Sequence, residues 1–193
     1  VPSILVIFAH PALENSRVNR AWRKEARQVP GVTFHDLYEE YPEFDVQVDR
    51  EQRLLESHDV LVLQHPFYWY SAPALIKQWL DLVLEHGWAY GEGGEALRGK
   101  KFMSAITAGA PQTAYSVDGF HNATVHDFLL PFERTAALCQ MQYLKPFFEY
   151  GTLQMKDDEI VRSATSYASL LKNICAGEPH FGKMTGSFSG ESK

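Results

Sequence analysis

At 193 residues, with 45% hydrophobic and 22% charged residues, the chain has the size and make-up of one globular α/β domain. A formal charge of −6 leaves no basic surplus to neutralise a phosphate backbone, which argues against nucleic acid as a partner, and no apolar run approaches the ~20 residues that span a bilayer. Two cysteines, Cys139 and Cys175, are too few for a disulfide framework and lack the paired C-x-x-C spacing of a structural zinc site, so no metal is expected and a reducing cytoplasm is the expected setting.

The first element in the chain is an apolar run over 3–9 that ends at His10-Pro11. No Lys or Arg precedes it, and its length suits a buried strand better than a signal-peptide core. A helical pattern over 18–28 leads to a β-branched run over 32–37, then to a Glu- and Arg-rich helix over 50–57 and a strand over 60–63. A helix over 74–85 carries Leu75, Trp79, Leu82 and Val83 at helical spacing. A strand over 102–107, a helix over 124–140, a weaker strand over 143–148 and a helix over 160–174 follow. Near-continuous hydrophobicity predicts strands buried on both faces, and strict alternation predicts a doubly wound, five-stranded parallel sheet with helices on both faces. The Gly- and Ser-rich stretch over 177–193 is expected to be a flexible tail after a domain over 1–176.

In such a sheet, ligands bind beyond the carboxyl ends of the strands. The first strand is followed by Asn15-Ser16-Arg17-Val18-Asn19 where a helix should begin, which brings side-chain hydroxyl and amide groups and free backbone N–H groups to the positive end of a helix dipole. That suits a phosphate, and an ordinary N-cap is the plainer alternative. No G-x-G-x-x-G or Walker A loop is present, so a phosphate monoester is favoured over a dinucleotide or a nucleoside triphosphate. The third strand is followed by Pro66-Phe67-Tyr68-Trp69-Tyr70, and four aromatic residues in succession cannot all turn inward on a sheet whose faces alternate. They line a cleft or an interface, or pack under the next helix. After the fourth strand, Thr107-Ala108-Gly109-Ala110 lets the backbone approach a ligand closely, and Tyr115 and His121 supply a phenol and an imidazole that can donate to developing negative charge. A phosphate loop, an aromatic shelf and a Gly-containing loop together describe a pocket for a mononucleotide with a large planar ring, and flavin mononucleotide (FMN) fits it.

These motifs resemble those of the flavodoxin-like NAD(P)H:quinone oxidoreductases over roughly residues 3–175, and the resemblance implies that 1–176 is a flavodoxin-like FMN-binding domain. The most specific pieces are Ala9-His10-Pro11 with Ser16 and Asn19, the stretch from Gln64 through Tyr70 to Trp79, and Tyr115 with His121. Within that family the chain is most similar to the bacterial ancillary subunits of glutathione-gated potassium efflux systems, in the stretches Asp36 to Pro42 and His86 to Gly91. The resemblance implies an FMN-dependent enzyme in which NAD(P)H reduces a quinone or another small aromatic acceptor, by two-electron hydride transfer with ping-pong kinetics. It implies that His10 and Ser16 to Asn19 hold the FMN phosphate, that Pro66, Phe67, Tyr68, Trp69 and Tyr70 contact the ribityl chain and ring, and that Thr107, Ala108, Gly109 and Ala110 meet the pyrimidine edge. Tyr115 would stabilise the reduced flavin with His121 as catalytic proton donor, while Trp69, Tyr70, Tyr90 and His121 would wall the substrate site at a homodimer interface. It also implies a cytoplasmic protein, peripheral at the inner face of the membrane where it meets a potassium efflux transporter.

The family's usual Thr-Thr-Gly-Gly is here Thr107-Ala108-Gly109-Ala110, which removes a hydroxyl and a glycine. Missing the extra carboxyl-terminal domain of the FAD-binding animal enzymes, the chain is expected to take FMN. Zinc-dependent deacetylases of the N-acetylglucosaminyl type carry a similar Ala-His-Pro, but Ala12 and Leu13 stand where a carboxylate would be needed. The alternative from a third class is a docking subunit of a membrane transporter with vestigial flavin chemistry.

Overall fold

Unbroken burial marks the central strands: every residue of β1 (Ile4–Phe8) and of β3 (Val60–Pro66) is buried, as a sheet covered on both faces requires. The computed structural model describes residues 1–177, so the tail expected over 177–193 lies, beyond Gly177, outside the described residues. β2 (Val32–Asp36) pairs with β1, and β4 (Lys101–Thr107) pairs with β3. β5 (Gln142–Tyr143) and β6 (Phe147–Glu149) both pair with β4, and every pairing is parallel. The order β2-β1-β3-β4-β5 is the expected doubly wound one. From β1 the chain crosses outward to β2 and then returns past β1 to β3, so the switch point lies between β1 and β3.

The fifth strand, expected as one run over 143–148, is divided. Phe102 faces Tyr143 and Ala105 faces Phe147, so Leu144, Lys145 and Pro146 stand opposite only Met103 and Ser104. Pro146 has no N–H for the ladder, and the extra residue forms a bulge.

Helices α1 (Arg17–Ala26) and α6 (Asp157–Ala176) cover one face, where Val18, Trp22 and Ala26 share a core with Ile160, Tyr167 and Leu171. The four-residue α2 (Leu37–Glu40), which the periodicity did not show, opens at Asp36, whose carboxylate accepts from Glu39 N–H at 3.4 Å. With α3 (Val48–Glu56), α4 (Ala74–Val83) and α5 (Val125–Leu138), it covers the other face around Ile7, Leu63, Trp79 and Phe102. α6 exceeds the expected 160–174 because the Glu159 carboxylate accepts from Lys156 N–H at 2.7 Å and Gly177, at φ +73°, closes the far end.

One charged side chain enters the core from α3. Glu51 is fully buried, and its carboxylate accepts hydrogen bonds from the Trp79 indole at 2.8 Å, from His35 at 2.9 Å and from the Tyr41 hydroxyl. Burial opposes its ionisation, but these bonds prevail and hold the carboxyl below its usual range.

Candidate functional site

Three loops leave the carboxyl edge of the sheet beside the switch point, and a fourth follows β6. In the first, Ser16 has extended backbone (φ −104°, ψ 106°) and caps α1, its Oγ accepting from Asn19 N–H at 3.3 Å and from Asn19 Nδ2 at 3.1 Å. The same Nδ2 donates to Thr107 Oγ1 at 2.8 Å, which ties the start of α1 to the end of β4. Both hydroxyls therefore accept from Asn19 and keep their protons to donate. Among the described residues the N–H groups of Arg17 and Val18 have no acceptor, as the first turn of a helix leaves them. Asn19 is 1% exposed and its Oδ1 is unpartnered. His10 is buried, which lowers its pKa, and its Nδ1 accepts from Ala12 N–H at 3.1 Å, so the neutral ring carries its proton on Nε2. Arg17 lines the same cleft, but its guanidinium is turned to Asp157 at 2.6 Å and to the Met155 carbonyl at 2.9 Å.

In the second loop Phe67 N–H donates to the Thr107 carbonyl at 2.8 Å, and Ser71 N–H donates to the Tyr68 carbonyl at 3.0 Å. The central residues of that tight turn, Trp69 and Tyr70, both have positive φ, 50° and 62°. Left-handed backbone costs a residue with a Cβ about 1–2 kcal/mol, so two consecutive aromatic residues there are a strained arrangement held by their surroundings. Tyr70 is stacked on Phe128 at 5.3 Å, and Phe67 is fixed edge-on by Tyr115, Phe128 and Phe148. Trp69, by contrast, is 92% exposed.

The third loop carries Tyr115 and His121, whose rings lie 4.7 Å apart, and Tyr70 meets His121 at 5.2 Å. His121 N–H donates to the Ala114 carbonyl at 3.0 Å, and its ring Nε2 is buried without a partner among the described residues. Burial raises the Tyr115 pKa, aided by the nearby phenols of Tyr150 and Tyr70, so the group stays protonated and able to donate near neutral pH.

A cleft of about 340 Å³ brings together His10, Ser16, Arg17, Val18, Asn19, Pro66, Phe67, Tyr68, Thr107 and Gly109. Tyr70, Tyr115 and His121 form an aromatic group linked to it through Phe67, and Trp69 stands exposed beside Tyr70. Ala108 is 2% exposed, and it and Ala110 do not line the cleft. Tyr90 lies elsewhere, in an apolar groove of about 560 Å³ between α4 and α5 with Ser71 and Ala72. Sequence reasoning missed Thr152 and Leu153, which complete the cleft wall, and Tyr150, whose ring lies 5.6 Å from that of Tyr115. Their signal was positional: they follow the carboxyl end of the fifth strand, where only the bulge conceals that the strand continues to Glu149. The site fits FMN. Two amide and two hydroxyl donors converge where a phosphate would sit, with an apolar aromatic wall beside them.

A family model described as a flavodoxin-like fold matches residues 2–171. A glutathione-regulated potassium-efflux system ancillary protein, KefG, of Serratia proteamaculans is 44% identical over 94% of this chain and 98% of its own. An NAD(P)H oxidoreductase of Bacillus subtilis, YrkL, is 46% identical over 87% and 97%. Among solved structures, general stress protein 14 of Treponema denticola in complex with FMN superposes with a TM-score of 0.86 at 42% identity, covering 90% of this chain and 99% of its own. A chain described as a thermophilic tryptophan halogenase from Streptomycin violaceusniger gives 0.85 at 44% identity, covering 86% and 97%. An NADPH-quinone reductase of P. pentosaceus gives 0.79 at 32% identity, covering 87% and 96%. These neighbours are named for different reactions on one fold, so it is the site and not the fold that decides the reaction.

Proposed function

This chain belongs to the flavodoxin-like family, and on that premise we propose that it is an FMN-dependent NAD(P)H:quinone oxidoreductase. The observation that carries the reading is the convergence, in one cleft, of the unpaired donors at the start of α1 with the aromatic wall of Phe67 and Tyr68, which Phe67 joins to the Tyr115–His121 pair beside it. The names of the relatives support it: an NAD(P)H oxidoreductase, an NADPH-quinone reductase and a protein in complex with FMN. When bound, FMN supplies two-electron chemistry between a nicotinamide and a quinone.

The chain's own residues bind, orient and move protons. Arg17 and Val18 N–H and the Ser16 and Thr107 hydroxyls would hold the phosphate, helped by the α1 dipole. Phe67, fixed on four sides, would set the plane of the ring, and the Trp69–Tyr70 turn presents two N–H groups that have no acceptor among the described residues. Tyr115 O–H would donate to the negative charge that accumulates on reduction, and His121 would deliver the proton. One shared aromatic site implies that donor and acceptor take turns, hence ping-pong kinetics. Relatives named as ancillary to a potassium-efflux system make such a transporter the proposed partner, and no helix among the described residues is long and apolar enough to cross a membrane.

The test is an absorption spectrum after incubation with FMN and desalting, then anaerobic addition of NADPH or NADH and of a simple quinone. A retained flavin band that bleaches and recovers is expected. A colourless protein would overturn the reading, and a bound flavin without turnover would leave only the docking subunit.

A further inference from the structure

The segment that departs from the family pattern, Thr107 to Ala110, is held by the loop after β6. Ala108 N–H donates to the Glu149 carbonyl at 2.8 Å, which continues the β4–β6 pairing by one residue. The Ala108 carbonyl then accepts twice, from Thr152 N–H at 3.0 Å and from Thr152 Oγ1 at 3.1 Å. Gly151 N–H closes the segment on the Ala110 carbonyl at 2.9 Å. After these bonds are counted, Gly109 N–H has no acceptor among the described residues, although Gly109 and Thr152 both line the cleft. The peptide between Ala108 and Gly109 is trans, so its C=O and N–H point to opposite sides, and whatever grips the carbonyl aims the amide. The approach to Gly109 is tight: a Cβ built there would stand 2.9 Å from Leu153 Cδ1.

We propose that Thr152 is a positioning residue for the cofactor: by gripping the Ala108 carbonyl with its N–H and its hydroxyl it aims Gly109 N–H at the ligand. This rests on the FMN reading of the cleft. An amide held in place before binding stabilises a ligand oxygen without reorganising, and it favours the reduced ligand most because that form carries the extra negative charge there. The backbone bond from Thr152 N–H alone leaves the carbonyl one of its two partners.

Thr152→Val keeps the side-chain shape and the backbone N–H and removes the hydroxyl donor; Thr152→Ser restores that donor. FMN titration of each variant and of the unsubstituted protein, with the midpoint potential of each FMN complex, tests the proposal. Thr152→Val is expected to bind FMN about fivefold more weakly, the loss of one hydrogen bond, and to lower the potential by about 20 mV, a further fivefold for two electrons. Thr152→Ser is expected within about twofold of the unsubstituted protein on both measures. A merely structural role would lower the unfolding temperature of FMN-free Thr152→Val and leave the potential unmoved, and that result overturns the proposal. An unsubstituted protein that binds no FMN overturns the reading beneath it, and both fall together.

Discussion

His121 and Tyr115 differ in what holds them. Tyr115 is packed by Phe67, Phe148 and Tyr150, so its phenol direction is set by the core of the aromatic group. His121 is carried by a turn closed through its own N–H, and its ring Nε2 has no partner among the described residues. A buried nitrogen without a partner costs about 1–3 kcal/mol, a cost that a ligand bond would offset. His121→Gln is therefore expected to slow flavin reduction by NAD(P)H about 10²-fold while FMN stays bound, measured by anaerobic stopped flow. An unchanged rate constant would remove His121 from the mechanism. The pair was legible in the sequence because both residues sit on one short segment. Thr152 was not, because its importance lies in a bond to Ala108, 44 positions away.

At the scale of the element, β3 carries, one residue before its end, a histidine that the proposed chemistry does not use. His65 is fully buried, its Nδ1 donates to the adjacent Pro66 carbonyl at 2.9 Å, and its other nitrogen is unpaired among the described residues. Burial drives its pKa down to about 4, against about 6.5 for a free imidazole. The folded state thus prefers the neutral ring, and the unfolded chain binds the proton more readily. The associated stability is complete above pH 6.5 and is lost as pH falls from 6.5 towards 4. Urea unfolding should show about 2 kcal/mol less stability at pH 5 than at pH 7.5, and His65→Gln should flatten most of that difference. A slope unchanged by the substitution would mean that other groups carry it. Glu51 behaves likewise at lower pH: its depressed pKa places its contribution above the usual carboxylate range, to be lost as pH falls below it. Strands and helices were legible from period and composition, but β6 and α2 were not. Leu144 to Pro146 read as a continuation of one apolar run, and only the register against β4 shows the extra residue. A four-residue helix is barely one turn, too short for a hydrophobic period to register.

For the whole molecule, the cleft is built from four loops that meet only because the sheet closes in the order β2-β1-β3-β4-β5. A ligand seated there binds the folded state alone, so free FMN at 100 times its dissociation constant is expected to add about 2.7 kcal/mol of stability, or about 5–10 °C in Tm. A Tm that does not respond to FMN would show that the cleft is not its site. The sequence by itself determined the layered parallel architecture, the strand ends from which the binding loops spring, and the residue types suited to a phosphate and a planar ring. Those properties are written in local periodicity and in short contiguous motifs. Tertiary structure alone decided that Asn19 would join Ser16 to Thr107, that Tyr90 would face the α4–α5 groove and not the cleft, and that Thr152 would grip Ala108. Each of these is a contact between segments far apart in the chain, fixed by strand order and register, and neither composition nor spacing along one segment encodes it.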